Sequence, residues 1–151
     1  MAALVASTPD HRWRQIAVMD AQGRTAHFDG ERVKPSRSVS HGTDVVALGN
    51  ILANEKVAPA MAEAFLASAD QPLAERLLRA LEAGEAAGGE HGDVTSASLT
   101  VVDRECFPYV DLRIDKAEGP IPKLRALWEE YAPLADGFVK RAIHPEDAPI
   151  I

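Results

Sequence analysis

The sequence predicts a layered α/β (α+β) fold, and three patterns carry that prediction. An apolar run at residues 45–48 leads directly into a helical pattern, as a strand covered on both faces does before a helix. Leucines at positions 73, 77, 78 and 81 recur at helical spacing. Residues 109–115 alternate between apolar and charged, which is typical of a strand with one wet face. Strand and helix patterns that alternate in this way indicate helices packed on sheets.

Composition limits the class of protein. The 151 residues suffice for one domain with its own core, and 46% hydrophobic with 26% charged residues is an ordinary globular balance. The net charge of −7 argues against nucleic-acid binding, which needs a basic surface. No run is long enough to span a membrane, and no signal peptide is visible. The single cysteine, Cys106, excludes an internal disulfide and favours a cytoplasmic location; we expect an inert, partly buried thiol.

The first half of the chain predicts sheet followed by helix. Residues 2–7 look like the end of a helix, and residues 14–19 and 24–28 like two strands joined by a tight turn at 20–23. The polar residues 29–40 contain a proline and predict a loop. After the strand at 45–48, Gly49 and Asn50 form a corner, and Asn54 is a cap or turn residue. Pro59 fits only the first turn of the next helix.

The second half repeats the alternation. The helix with the leucine stripe begins at Pro72, and Gly84 is a plausible C-cap. Residues 88–93 are rich in glycine but lack the spacing of a phosphate-binding loop, so they predict a flexible connection. Strands follow at 96–102 and 109–115, then a helix after Gly119 and a short final helix at 134–143. We therefore expect one domain over residues 1–143 and a flexible tail at 144–151.

Several segments together resemble one family, the bacterial and archaeal domain of unknown function 1028. The most specific are Gly-Asn-Ile-Leu at 49–52 and Asp-Leu-Arg-Ile-Asp at 111–115. The resemblance also covers residues 14–16, 18–20, 23, 28–30, 61–65, 72–78, 83–84, 87–89 and 96–97. That family is grouped with the N-terminal-nucleophile hydrolases. The resemblance implies an αββα sandwich with helices outside two stacked sheets.

The chain also departs from the family pattern. Family members begin with further strands and helices, so this chain looks incomplete at its N-terminus, and a terminal nucleophile would lie in the missing part. The glycine loop differs at residues 90–95, and Lys116 and Ala117 stand where the family has Asp and His. We expect a homo-oligomer, most simply a dimer, or a separate N-terminal segment, to cover the exposed sheet surface.

Two functions remain open from the sequence. The first is an amide-bond hydrolase, or the remnant of one, in which Asn50 holds an oxyanion and Asp111 with Arg113 positions the substrate. In this case the isolated chain would be inactive, because Met1 and Ala2 offer no nucleophile. The second is a non-catalytic scaffold or oligomerisation protein with the same fold. Both sets of residues also have a simpler structural role. Asn50 can form hydrogen bonds with the backbone groups of its turn, and Asp111, Arg113 and Asp115 can form ion pairs on the protein surface. Neither a cofactor nor a metal ion is expected.

Overall fold

A computed structural model describes residues 1–150, which form two compact units. The first unit is Met1–Asp93, and the second begins at Val94. The secondary structure is mixed, with five α-helices and three two-stranded antiparallel sheets along the described chain. The α+β class predicted from the sequence is therefore confirmed. A single domain over residues 1–143 stays a prediction.

The first unit contains two hairpins. In the first, β1 (Gln15–Met19) pairs with β2 (Thr25–Asp29) in the predicted positions. The Asp20 carboxylate accepts hydrogen bonds from the backbone N–H groups of Gln22 and Arg24, at 2.9 and 3.0 Å, and so fixes the turn. This is the way in which Asp favours the start of a tight turn.

The second hairpin corrects two predictions. Strand β3 (Ser38–Gly42) lies partly in the region that the sequence predicted to be a loop, and it pairs with β4 (Val45–Gly49). In β4, Val45 and Ala47 are buried, whereas Val46 and Leu48 are only half-buried. The run of apolar residues thus has one covered face, where Val45 packs with Phe65 and Ala47 packs with Ala58 and Ala62, and one partly open face.

Helices α2 (Val57–Ala67) and α3 (Leu73–Ala86) pack on each other, and α2 also packs on β3 and β4. A shorter helix, α1 (Ala2–Ser7), opens the chain. Val45, Phe65 and Ala80 form one buried cluster, with Met61 and Leu77 packed against it. Pro59 lies in the first turn of α2, as predicted.

Two predictions for α3 are wrong. Leu73 is 46% exposed, and the buried face is instead built by Ala74, Leu78 and Ala80. Gly84 is not the C-cap but a buried position inside the helix, where an added Cβ would lie 2.8 Å from Cγ of Met61. The helix ends two residues later. A small residue at position 84 therefore permits close packing of α2 and does not terminate α3.

The second unit packs helices on one hairpin. Strand β5 (Ala97–Val102) pairs with β6 (Pro108–Ile114), with a register shift at Val101/Val102. Helix α4 (Pro120–Tyr131) packs on both strands, and α5 (Ala135–Ile143) packs on β6. The core side chains of this unit include Leu99, Val101, Val110, Leu124 and Trp128. The predicted alternation of β5 and β6 is confirmed.

Short 3₁₀ turns occupy His11–Trp13, Ala132–Leu134 and Pro145–Asp147. The last of these lies in the segment predicted to be a tail, where Arg141 also donates a hydrogen bond to the carbonyl oxygen of Pro149. Cys106 is exposed, so the expectation of a partly buried thiol was wrong. None of the helices within residues 1–150 is both long and apolar enough to cross a membrane.

Candidate functional site

The corner after β4 holds the side chain of Asn50 in place. The Asn50 Nδ2 group donates a hydrogen bond to Oε1 of Gln15, at 3.2 Å. Gln15 in turn donates from Nε2 to the carbonyl oxygen of Gly49, also at 3.2 Å. Both bonds are partly buried and join residues 34 or 35 positions apart. The bond to Gln15 uses one of the two N–H groups of Asn50, so the other N–H and the side-chain oxygen remain available to a ligand.

The backbone at this corner is strained. Ile51 has φ of +58°, in the left-handed region that β-branched residues rarely adopt. Such a conformation costs about 1–3 kcal/mol and persists where surrounding contacts enforce it. Here the carbonyl oxygen of Ile51 accepts a hydrogen bond from the backbone N–H of His91 at 2.7 Å. Strain of this kind clusters at functional sites, so we treat the corner as the candidate site of the first unit.

The glycine-rich loop lies against this corner and is not the free connection that the sequence predicted. Gly88 and Gly89 have positive φ, at +124° and +60°. The Gly89 carbonyl oxygen accepts a hydrogen bond from the N–H of Ala53, and Leu52 forms an isolated antiparallel bridge with Glu90. Asn54 adds a side-chain bond to Ala87. The loop therefore supports the corner through its backbone.

The charged face of β6 has the predicted arrangement. Asp111, Arg113 and Asp115 are exposed, whereas Val110 is fully buried and Leu112 is half-buried on the other face. Arg113 binds Oδ1 of Asp115 through Nε at 2.9 Å and Nη2 at 2.8 Å. This hydrogen bond, followed by the negative charges of Asp115 and Asp111, raises the pKa of the Arg113 guanidinium above its usual value. Both partners of the ion pair are well exposed, so the pair is a surface feature.

The three residues predicted to bind substrate thus fall into both units. Asn50 belongs to the first unit, and Asp111 and Arg113 belong to the second. Within the second unit, Asp111 and Arg113 lie on the same strand face. Their role in binding stays a prediction.

Sequence reasoning missed one further polar site in the second unit. An open depression of about 270 Å³ lies between β6 and α5, lined by Asp103, Arg104, Glu105, Phe107, Tyr109, Asp136, Val139, Lys140 and Ile143. Two of these lining residues are bonded to each other: the Tyr109 hydroxyl donates a hydrogen bond to Oδ1 of Asp136, at 2.9 Å. Burial, followed by this bond to Asp136, raises the pKa of the Tyr109 phenol. The partners are 27 residues apart, so no local pattern signals the contact.

No group of three or more His, Cys, Asp or Glu side chains within residues 1–150 is placed to hold a metal ion. Glu90, His91 and Asp93 of the glycine-rich loop therefore do not form such a group.

Comparisons with known proteins identify the family. The model of a family of unknown function, DUF1028, matches residues 1–124. A search of curated proteins finds no match. Among solved structures, the chain is similar to the crystal structure of protein SPO2555 from Silicibacter pomeroyi, which carries the same family model. The two share 32% sequence identity with a TM-score of 0.76.

That alignment covers 86% of this chain and 55% of the Silicibacter pomeroyi chain, so this chain spans little more than half of its neighbour's length. The family match covers most of the described fold, including the Asn50 corner, the glycine-rich loop and the charged face of β6. The resemblance inferred from the Gly-Asn-Ile-Leu and Asp-Leu-Arg-Ile-Asp segments is therefore confirmed, and the chain belongs to the DUF1028 family of unknown function.

Proposed function

We propose that this chain carries the amide-recognition part of an amide-bond hydrolase, with Asn50 binding the carbonyl group of the substrate. The observation that carries the proposal is the side-chain amide of Asn50, which is fixed by Gln15 beside the strained residue Ile51. A preorganised N–H donor stabilises negative charge on a carbonyl oxygen because it needs no reorientation during the reaction. The resemblance to a family that is grouped with the N-terminal-nucleophile hydrolases implies an amide substrate and supports this proposal.

In the second unit, taken by itself, Asp111 and Arg113 are proposed as a separate group of substrate-binding side chains. The Arg113 guanidinium is held by Asp115, and both side chains are well exposed on one face of β6. A planar guanidinium recognises carboxylates through paired hydrogen bonds, so it suits a substrate that carries an acidic group. The proposal assigns no nucleophile.

Binding and turnover of a panel of simple amides test this function. We expect saturable binding of at least one amide, and at least a tenfold weaker affinity in Asn50→Leu and in the isosteric Asn50→Asp. Asp cannot donate a hydrogen bond when ionised, and its charge repels a carbonyl oxygen. Gln22→Leu, in the exposed turn between β1 and β2, is the matched control and should bind as the wild type does.

The outcomes separate the hydrolase from its alternative. Binding without amine release is the expected result, because Met1 and Ala2 offer no nucleophile. Amine release would instead show that an internal residue of this chain supplies the nucleophile. An absence of saturable binding, or equal binding by Asn50→Leu, would overturn the proposal.

The second candidate is a non-catalytic scaffold or oligomerisation protein. Exposed apolar side chains in the first unit favour it: Trp13 is 55% exposed and Met19 is 48% exposed. Covering such a side chain with a partner chain would remove apolar surface from water and so stabilise an oligomer. A stable oligomer that binds none of the amides would support this candidate over the hydrolase.

A further inference from the structure

Three polar side chains form a hydrogen-bonded chain across the two hairpins of the first unit. Thr25 and His27 lie two residues apart on β2, so their side chains share one face. His41 lies on β3, with Nδ1 at 2.7 Å from Oγ1 of Thr25. Its other ring nitrogen, Nε2, lies 2.9 Å from Nδ1 of His27. Both imidazoles are exposed, so solvent and ions reach them freely.

The separation of the two ring nitrogens matches the span of a metal ion. Imidazole nitrogen lies about 2.0–2.1 Å from Zn²⁺ and related divalent ions. Two such bonds at a right angle span about 2.9 Å, and a tetrahedral angle requires about 3.3 Å. The 2.9 Å between His27 Nδ1 and His41 Nε2 equals the span of a square arrangement, and a tetrahedral one needs a few tenths of an ångström more. Because the ion lies off the line that joins the two nitrogens, both exposed rings must also rotate to direct their lone pairs at it.

Thr25 is a suitable partner for the form of His41 that binds metal through Nε2, because its hydroxyl oxygen can accept a hydrogen bond from Nδ1–H. When the Nδ1–H group of His41 donates to Oγ1 of Thr25, the lone pair of the ring lies on Nε2, which faces His27. A metal-bound histidine characteristically donates its other N–H to such a partner, and the partner fixes the tautomer and ring orientation. Thr25 is thus a positioning residue for His41.

We propose that His27 Nδ1 and His41 Nε2 together bind one divalent transition-metal ion. Imidazole ligands suit Cu²⁺, Ni²⁺ and Zn²⁺, and affinity follows the order Cu²⁺ above Ni²⁺ and Zn²⁺. Within residues 1–150 no third His, Cys, Asp or Glu completes the set. Water molecules fill the remaining coordination positions, so the ion is exchangeable and open to an added ligand. Both rings stay neutral when His41 carries its hydrogen on Nδ1 and His27 carries its hydrogen on Nε2, so metal binding requires the proton of the His27–His41 hydrogen bond to leave Nδ1 of His27 and solvent to protonate Nε2 of the same ring.

Calorimetric titration of the full chain with Ni²⁺ and with Zn²⁺, in a buffer that does not chelate metals, tests this site. We expect one ion per chain. His27→Ala and His41→Ala should each weaken binding at least tenfold, because one imidazole cannot chelate. His91→Ala and His144→Ala are matched controls, since they remove exposed histidines elsewhere in the chain, and they should leave the affinity unchanged. Far-UV circular dichroism confirms that each variant is folded.

The positioning role of Thr25 has its own variant. Thr25→Val keeps the β-branched shape and removes the hydroxyl, and loss of such an outer partner typically weakens metal binding 10–100-fold. Thr43→Val, in the exposed β3–β4 turn, is its control. Two results would overturn the site: equal affinity of the wild type and the His27→Ala/His41→Ala double variant, or loss of binding in His91→Ala or His144→Ala. Unchanged binding in Thr25→Val would refute the role of Thr25.

Discussion

Truncating Leu78 and truncating Leu73 should have very different effects, although both leucines lie on α3. Leu78 is fully buried, and Leu73 in the first turn is 46% exposed. A buried Leu→Ala change costs about 2.7–5.0 kcal/mol, because it removes apolar contacts and leaves a cavity. At a half-exposed site most of that penalty is absent, so we expect less than about 1 kcal/mol for Leu73→Ala. Leu77 is half-buried against the cluster of Val45, Phe65 and Ala80, and Leu77→Ala should give an intermediate value.

Urea unfolding followed by far-UV circular dichroism measures these differences. The three variants change the same side chain on one helix, so helix propensity and denatured-state effects nearly cancel between them. The m-value should stay constant, so that the shift in midpoint reports stability. The leucine stripe predicted from the sequence places Leu73, Leu77 and Leu78 on one buried face, so it predicts similar losses of stability for all three variants. A Leu73→Ala variant as unstable as Leu78→Ala would refute the assignment of the buried face to Ala74, Leu78 and Ala80.

Four further predictions follow from the described contacts. Arg113→Ala should lower the free energy of unfolding in urea by at most about 1 kcal/mol, since its ion pair is exposed; a larger loss would show a buried role. Because Asp136 helps to raise the pKa of Tyr109 above its usual value of about 10, Asp136→Asn should let Tyr109 ionise at lower pH in an NMR titration. A raised pKa in the folded chain means that the neutral phenol stabilises the fold. That stabilisation is full below about pH 10 and is lost as the pH rises through the pKa of Tyr109 in the folded chain. An unchanged titration would contradict the contact. Gly88→Ala should destabilise the chain by about 1–3 kcal/mol in thermal or urea unfolding, since φ there is +124°; a neutral effect would contradict the loop geometry. Light scattering should give twice the chain mass of 16.2 kDa for the predicted dimer, and a strictly monomeric mass would refute it.

The elements that the sequence predicted well are those set by local chemistry. The β1–β2 hairpin follows from the Asp20 turn, whose hydrogen bonds join residues two and four positions apart. The alternation of β6 places Val110 inside and Arg113 outside without reference to any distant residue. Each of these features depends on a pattern of a few neighbouring residues, and the structure retains it.

The errors arose where distant residues decide the outcome. Strand β3 has one large apolar residue, Val39, and becomes a strand because it pairs with β4. Gly84 looks like a helix end in sequence, but the approach of Met61 makes it a packing position. Local propensity is weaker than tertiary contacts in both cases.

The same limit applies to the candidate site. Asn50 could be singled out from the Gly-Asn corner, but its partner Gln15 lies 35 residues away in the sequence. The contact between His27 and His41 joins two different hairpins, and no motif marks it. The strained backbone of Ile51 leaves no sequence signal either, because isoleucine is not a residue that favours positive φ.

The central claim is that the Asn50 corner recognises an amide, and an NMR titration of the labelled chain with a simple amide such as benzamide tests it most directly. The account predicts saturable shifts of the backbone amide signals of Asn50, Ile51 and Gly89, because these residues form the corner and the loop against it. The shifts should disappear in Asn50→Leu and persist in Gln22→Leu. Shifts that are absent, that lie away from the corner, or that survive in Asn50→Leu would contradict the account.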